Sequence, residues 1–229
     1  MGRPSLAEPR RRQIIDGLRE AIVKHGLAGA SVQRIAARAG VPAGLVHHYF
    51  SSKEDLLIAT VDQIVEDARN PIKAELDVLD PERALARGLD FLFLEVPADR
   101  NRSILFEEIG VAALRRPQLR RRLAALNAEM VEELAALFDR LPDRARPHDA
   151  NTDLATMLVC LLFGADLQLL SDPSAINPRR LRRLAGELVA RFRGVSDGKA
   201  DAVATPNDRR LRSHRARRRG TDRRASPAR

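Results

Sequence analysis

The stretch SVQRIAARAGVPAGLVHHYF, residues 31–50, decides how this chain is read. Val32, Ile35, Ala36 and Ala39 recur at helical spacing behind Ser31, a residue type suited to capping a helix N-terminus. Gly40 stops that helix, because it tolerates the left-handed turn that a helix end needs. Pro42 suits the first position of a second short helix, which carries Leu45, Val46, Tyr49 and Phe50. Two short helices joined through Gly40-Val41 make a helix-turn-helix. Ala36, Ala37 and Ala39 are small enough for a close helix crossing. Val41, Val46 and Phe50 anchor the second helix from below. Ala43, Gly44, Leu45, His47, His48 and Tyr49 are left on a face free to enter a DNA major groove. Gly44 lets the backbone approach a phosphate or base edge closely. Lys53, at the start of the next helix, offers a cation to a phosphate.

Helical periodicity continues on both sides. Upstream, Ile14, Leu18, Ala21 and Ile22 share a stripe that ends near His25-Gly26. Downstream, Ser51-Ser52-Lys53-Glu54 reads as a capping box that opens a longer helix carrying Leu57, Val61, Ile64 and Val65. Pro71 is expected to break or kink it. Leu85, Leu89, Leu92 and Val96 form a further stripe, and Leu105, Ile109 and Ala112 another. Leu119, Leu123, Leu126, Met130, Leu134 and Leu137 form a long one after Pro117. Helices over 150–170 and 178–193 complete the pattern. No alternating strand pattern of useful length and no internal repeat is present. The fold expected is all-α with about nine helices. An N-terminal three-helix helix-turn-helix domain spans 8–68, a helical ligand-sensing and dimerisation domain 71–193, and a disordered basic tail 194–229.

The 229 residues suffice for one large domain or two small ones. Residues 1–53 hold nine Lys/Arg against three Asp/Glu, and residues 194–229 eleven against four, which leaves 54–193 at a net −4. Basic ends attract a polyanion, most obviously nucleic acid. The tail has too few large apolar residues to offset its ordering entropy. Its run Arg215–Arg219 either adds non-specific phosphate contacts or is simply solvated. The N-terminus carries no apolar run behind its charges, so it does not read as a secretory signal.

Leu154–Ala165 is apolar on nearly every side and is expected to be buried all round. Bounded by Asp153 and Asp166, it is shorter than the about 18–20 residues that span a membrane. With the narrower stripe Leu181, Leu184, Leu188 and Phe192, it reads as half of a four-helix bundle completed by a second copy of the chain. The alternative packs both helices within one protomer. The lone Cys160 excludes an intramolecular disulfide and is expected to be a buried, inert thiol. His47 and His48 point about 100° apart on a helix and do not converge on a metal ion. No nucleophile triad, phosphate-binding glycine loop, zinc signature or cofactor motif is present, so no catalytic residue is assigned. Phe91, Phe106, Glu107, Phe163 and Asp166 are the candidates for lining an effector pocket. Glu107, Glu108 and Asp166 alternatively face solvent or pair with Arg115, Arg116 or Arg120.

Residues 10–61 resemble the DNA-binding domain of the tetracycline-repressor (TetR) family. The resemblance rests on Arg12-Gln13-Ile14-Ile15, on the run from Ala30 to Val41, on Gly44 to Phe50, and on Ser52 to Leu57. It implies that Ser31 and Gln33 touch DNA from the second helix, and that Ala43, Gly44, Leu45, His47, His48, Tyr49 and Lys53 do so from the third helix and its exit. The family often has Ser or Thr where this chain has Pro42, which removes a hydroxyl contact. His47-His48-Tyr49-Phe50 with Leu56 to Thr60 is similar to the choline-responsive repressors of betaine synthesis. Choline itself is not assigned, because the chain has no Trp for an aromatic cage.

These features imply a cytoplasmic, nucleoid-associated transcriptional regulator. It is expected to bind a double-stranded, palindromic operator as a homodimer through 150–170 and 178–193. A small molecule of unknown identity is expected to release it, with neither cofactor nor membrane as partner. A non-specific architectural DNA-binding protein is the main alternative, and a helical enzyme a weaker one.

Overall fold

In the computed structural model, residues 7–142 and 148–194 are described, and among them the chain forms nine α-helices and no strand. In order they are α1 (Ala7–Gly29), α2 (Val32–Ala39), α3 (Ala43–Tyr49), α4 (Lys53–Asp77), α5 (Pro81–Asp90), α6 (Arg100–Ala113), α7 (Pro117–Asp139), α8 (His148–Ser171) and α9 (Pro178–Phe192). A π-turn, Phe91–Glu95, and a 3-10 turn, Val96–Ala98, join α5 to α6. The expected tail 194–229 lies outside the described residues apart from Gly194.

The chain divides into two compact units. Among the described residues the first comprises 7–73 and 99–130, the second 74–98, 131–142 and 148–194. The boundary expected at 71 falls inside α4. That helix runs without a break through Pro71 to Asp77. Pro71 lacks the N–H that would bond the Asp67 carbonyl, and both residues are on the exposed side of the helix, where loss of that bond is best tolerated. Ile64 and Ile72 are buried on either side of Pro71.

The first unit has its core where α1, α2, α4, α6 and α7 meet. Ile14, Leu18 and Ile22 from α1 pack with Ile35, Leu57, Val61, Ile109 and Leu119, all fully buried. Each such side chain contributes about 1.5–3 kcal/mol over leaving it in water. Across one side of this core, Arg122 on α7 holds Asp62 on α4 at 2.6 Å and Glu129 at 2.9 Å. Those carboxylates push its guanidinium above the ordinary value.

In the second unit Leu85, Leu89, Phe93, Leu154, Leu158 and Val189 are fully buried. Arg182 on α9 is 1% exposed. It donates to Asp90 at 2.6 Å and to the Ala86 carbonyl at 2.9 Å, which sets α9 against α5. A pair of this kind is weak evidence for stability, yet removing one partner strands a buried charge. Arg87 ties the end of α4 to the π-turn through Glu75 at 2.6 Å and Glu95 at 2.8 Å.

In the second unit, the single chain leaves two expected burials incomplete. The apolar segment Leu154–Ala165 belongs to the 24-residue α8, which by length and composition alone could cross a membrane. Only one of its faces is buried within the chain. Met157, Phe163 and Leu167 are exposed, and so is Cys160. On α9 the inward face is Arg182, Ala185, Gly186, Val189 and Ala190. The leucine stripe is left only partly covered, with Leu184 exposed.

Candidate nucleic-acid interface

Helices of eight and seven residues are too short to be stable alone. Their ends are therefore where the reader is built. Ser31 Oγ accepts the Arg34 N–H at 3.3 Å, the expected N-cap. Gly40, at φ 63°, ends α2 in the left-handed conformation and returns its N–H to the Ala36 and Ala37 carbonyls. The last carbonyls of both short helices are taken by α1. Gln13 donates to Ala39 O at 2.6 Å, and Arg11 to Tyr49 O at 3.0 Å. The Arg11 guanidinium also lies 4.6 Å from the centre of the Phe50 ring. The α1–α2 crossing is tight at Gly17, where a Cβ would lie 2.7 Å from the Ile35 carbonyl oxygen.

Against this scaffold α3 turns Val46 inward, with Phe50 behind it, and Val41 packs alongside. Gly44, His47 and His48 are exposed, while Ala43, Leu45 and Tyr49 are half-buried. A Cβ added at Gly44 would meet nothing within 4 Å. The His48 and Tyr49 rings meet edge to face, 5.1 Å between centroids. Pro42 precedes the helix as its cap residue instead of opening it, so α3 begins at Ala43 with no side-chain cap. Ser31 and Gln33 are exposed on α2. Eight of the nine expected contact residues thus present some surface on α2 and α3.

The ninth, Lys53, has a structural task. Its ammonium donates to the Leu27 carbonyl at 2.9 Å and the Ala30 carbonyl at 2.8 Å, closing the connector between α1 and α2. Burial, and then the charge of Arg116, push this ammonium below its ordinary value. Arg34 takes a third connector carbonyl, Gly29, at 2.6 Å. The connector begins at Gly26, whose φ of 67° breaks α1 where the sequence placed its end.

The capping of α4 also differs from the expected register. Ser52, not Ser51, accepts an N–H, from Asp55 at 3.0 Å. Glu54 is freed from capping its own helix, and its carboxylate accepts the Leu119 N–H at 3.2 Å in the first turn of α7. Glu108, expected to line a pocket, meet solvent or pair with arginine, instead accepts the Leu27 N–H at 2.9 Å. Sequence reasoning missed Arg11, Glu54 and Glu108 as organisers of the reader. Their partners are backbone groups remote in sequence, which leave no local signal.

The five candidate effector residues are distributed differently. Phe106 and Glu107 belong to the first unit, where Phe106 packs on the hydrophobic core. Phe91, Phe163 and Asp166 belong to the second. Neither unit by itself gathers all five. Phe91 opens the π-turn, Asp166 is buried and Phe163 lies on the exposed face of α8.

Comparison with known proteins agrees with this architecture. Residues 14–60 match the family described as bacterial regulatory proteins, tetR family, and residues 81–194 the BetI-type transcriptional repressor C-terminal domain. The transcriptional regulator BetI of Escherichia coli O17:K52:H18 is 30% identical over 161 residues, 69% of this chain and 83% of its own length. The nicotine-responsive transcriptional repressor HdnoR of Paenarthrobacter nicotinovorans is 26% identical over 166 residues, 72% of this chain and 86% of its own length. A transcriptional regulator of Saccharomonospora viridis, solved in complex with choline, superposes with a TM-score of 0.67 at 19% identity, covering 80% of this chain and 96% of that one. The helix-turn-helix built on α2 and α3, and the helices that follow it, belong to a DNA-binding transcriptional regulator of the TetR family, with a C-terminal domain of the BetI type.

Proposed function

We propose that this chain is a homodimeric repressor that a small amine releases from a palindromic operator in the cytoplasm. The observation that carries the reading is the exposed face of α3. Gly44, His47 and His48 stand clear of the protein on a helix fixed from behind by Val46 and Phe50. Gly44 has open space where a side chain would be, which lets the helix backbone approach duplex edges. Gln33, His47, His48 and Tyr49 read bases and phosphates. Ala43 and Leu45 offer apolar contact to thymine methyls. Two copies of this face engage half-sites about 34–36 Å apart.

Dimerisation is supported by the uncovered apolar faces of α8 and α9. Met157, Phe163, Leu167 and Leu184 are exposed on them, and a second copy would bury them as a four-helix bundle. The amine class is supported by the names of two similar proteins, one nicotine-responsive and one bound to choline. The reading is regulatory and not catalytic. Selection of a duplex from a random-sequence pool, followed by titration of choline and nicotine against the complex, tests it. A palindromic consensus that binds two chains and is released by one of these amines is expected. Binding indifferent to sequence would instead favour the architectural alternative.

A further inference from the structure

The corner between α6 and α7 carries Arg115, Arg116, Arg120 and Arg121 within seven residues. Arg115, Arg120 and Arg121 are exposed and, among the described residues, enter no ion pair. The next arginine, Arg122, behaves differently and is held by Asp62 and Glu129. Leu114, 71% exposed, and Val111, 61% exposed, lie beside the cluster and bring no negative charge. The corner therefore presents three exposed guanidinium groups that are not held by a carboxylate among the described residues.

Its position is fixed by backbone contacts. Leu119, between Arg116 and Arg120, gives its N–H to Glu54 at 3.2 Å, so the corner abuts the first turn of α4. Lys53 in that turn reaches the Leu27 and Ala30 carbonyls, and Arg34 reaches Gly29. The charge of Arg116 is felt at Lys53. Arg34 and Lys53 thus line the connector that leads into Ser31 and Gln33, and Arg116 stands on the corner next to Lys53. Glu108, a carboxylate that reaches this connector, accepts the Leu27 N–H. The cationic edge of the reader continues onto the α6–α7 corner past Glu54 and Glu108, whose carboxylates each accept a backbone N–H and form no ion pair with these arginines.

We infer that Arg115, Arg116 and Arg120 at the α6–α7 corner bind backbone phosphates of the duplex flanking the half-site read by α3. The assignment rests on α3 being the reading helix. Duplex DNA offers one negative charge per about 1.7 Å of axis, so a band of arginines beside the reader meets phosphates in any sequence. Guanidinium groups suit phosphate because they donate two parallel hydrogen bonds. An acidic protein segment would satisfy the charge alone. Continuity with the helices that flank α3 favours DNA.

The test uses the full chain and a duplex it selects from a random-sequence pool. One probe is trimmed to the protected bases, and a second extends about one helical turn beyond each end. The variant is R115Q/R120Q, which leaves the Arg116 guanidinium and its bond to the Ala112 carbonyl in place. On the extended probe its affinity is expected to fall about tenfold near 0.1 M salt, and the slope of log K against log salt to shrink by about 1.8 per reader. On the trimmed probe neither quantity changes. Unchanged slopes on both probes, or the same loss on both, overturn the inference. Should the double variant unfold early, R120Q alone is expected to remove about 0.9 from the extended-probe slope, and no change there overturns it equally. A wild-type chain that selects no duplex sinks the reading of α3 along with the corner. One that selects a duplex while the variant matches it sinks the corner alone.

Discussion

Glu108 on α6 accepts the backbone N–H of Leu27 at 2.9 Å, across 81 residues of chain. Gly26, at φ 67°, turns α1 out of its helix and leaves that N–H without a partner in its own helix. The carboxylate fills the gap, and Glu108 Oε1 sits 3.4 Å from where a Gly26 Cβ would be. The Leu27 carbonyl in turn accepts from the Lys53 ammonium at 2.9 Å. The connector between α1 and α2 is thus held by an acceptor from α6, the Glu108 carboxylate, and by a donor from α4, the Lys53 ammonium.

Removing the carboxylate strands a partly buried N–H. Glu108→Ala is expected to lower unfolding stability by about 1–2 kcal/mol. Glu108→Gln keeps an acceptor in place and should recover most of the loss. Urea unfolding of the three proteins checks this, and equal midpoints for Glu108→Ala and wild type would refute it.

Lys53→Met leaves the Leu27 and Ala30 carbonyls without their donor while keeping the aliphatic stem. Stability is expected to fall by about 1–2 kcal/mol, again by urea unfolding. Affinity should fall for every duplex sequence alike, because the change loosens the frame around α2 and not one base contact. A variant as stable as wild type would show that the clasp contributes nothing.

Two glycines separate packing from recognition. A Cβ at Gly17 would lie 2.7 Å from Ile35 O and 2.8 Å from Ala39 Cβ, so Gly17→Ala must push α2 away and should cost about 1–3 kcal/mol. At Gly44 nothing lies within 4 Å, and Gly44→Ala should leave stability unchanged or raise it by about 0.5–1 kcal/mol. The Gly44 variant should nevertheless bind its selected duplex at least tenfold more weakly. Full affinity in this variant would count against close approach of α3 to DNA.

The exposed face of α8 predicts an oligomeric state. Phe163→Asp with Leu167→Asp should turn a dimer into a monomer in sedimentation, with the helical circular-dichroism spectrum retained. Cys160, exposed on the single chain, should react slowly with a thiol reagent in the wild type and fast in the variant. Rapid modification of a wild-type dimer would place the interface elsewhere.

His148 at the start of α8 sets its Nδ1 2.6 Å from Asp139, which also takes the Asn151 amide at 2.6 Å. The Asp139 hydrogen bond raises the imidazole above its ordinary 6.5. Hydrogen bonds from Asn151 and then His148 hold the Asp139 carboxyl below 3.8. For a raised histidine, stability is fully present below pH 6.5 and is lost as pH rises through the folded-state value. For the lowered aspartate, it is present above 3.8 and is lost as pH falls through its folded-state value. Wild type should therefore gain over His148→Asn between about pH 4 and 6.5 and lose that margin as pH rises past 6.5 through the raised folded-state value. Both groups are solvent-exposed, so the difference is small and best read from paired thermal melts. A margin independent of pH would dismiss the pair.

The chain's own order of residues was enough for the local features: the Ser31 cap, the stop at Gly40, the break at Gly26, and the inward Val46 and Phe50. Each depends on contacts within a turn or two, or on a periodicity that a few residues display. The destinations of Lys53, Glu54 and Glu108 were not legible, and neither was the passage of α4 through Pro71 or the exposure of Cys160. Glu54 and Glu108 meet backbone N–H groups 65 and 81 residues away. Any carboxylate of suitable reach would serve such a donor, so residue type does not name the partner. Only the packing of α6 and α7 beside α1 and α4 brings the groups within bonding distance. The same holds for α8, whose composition is apolar all round. Which of its faces the protomer covers depends on where α9 and the rest of the second unit come to lie.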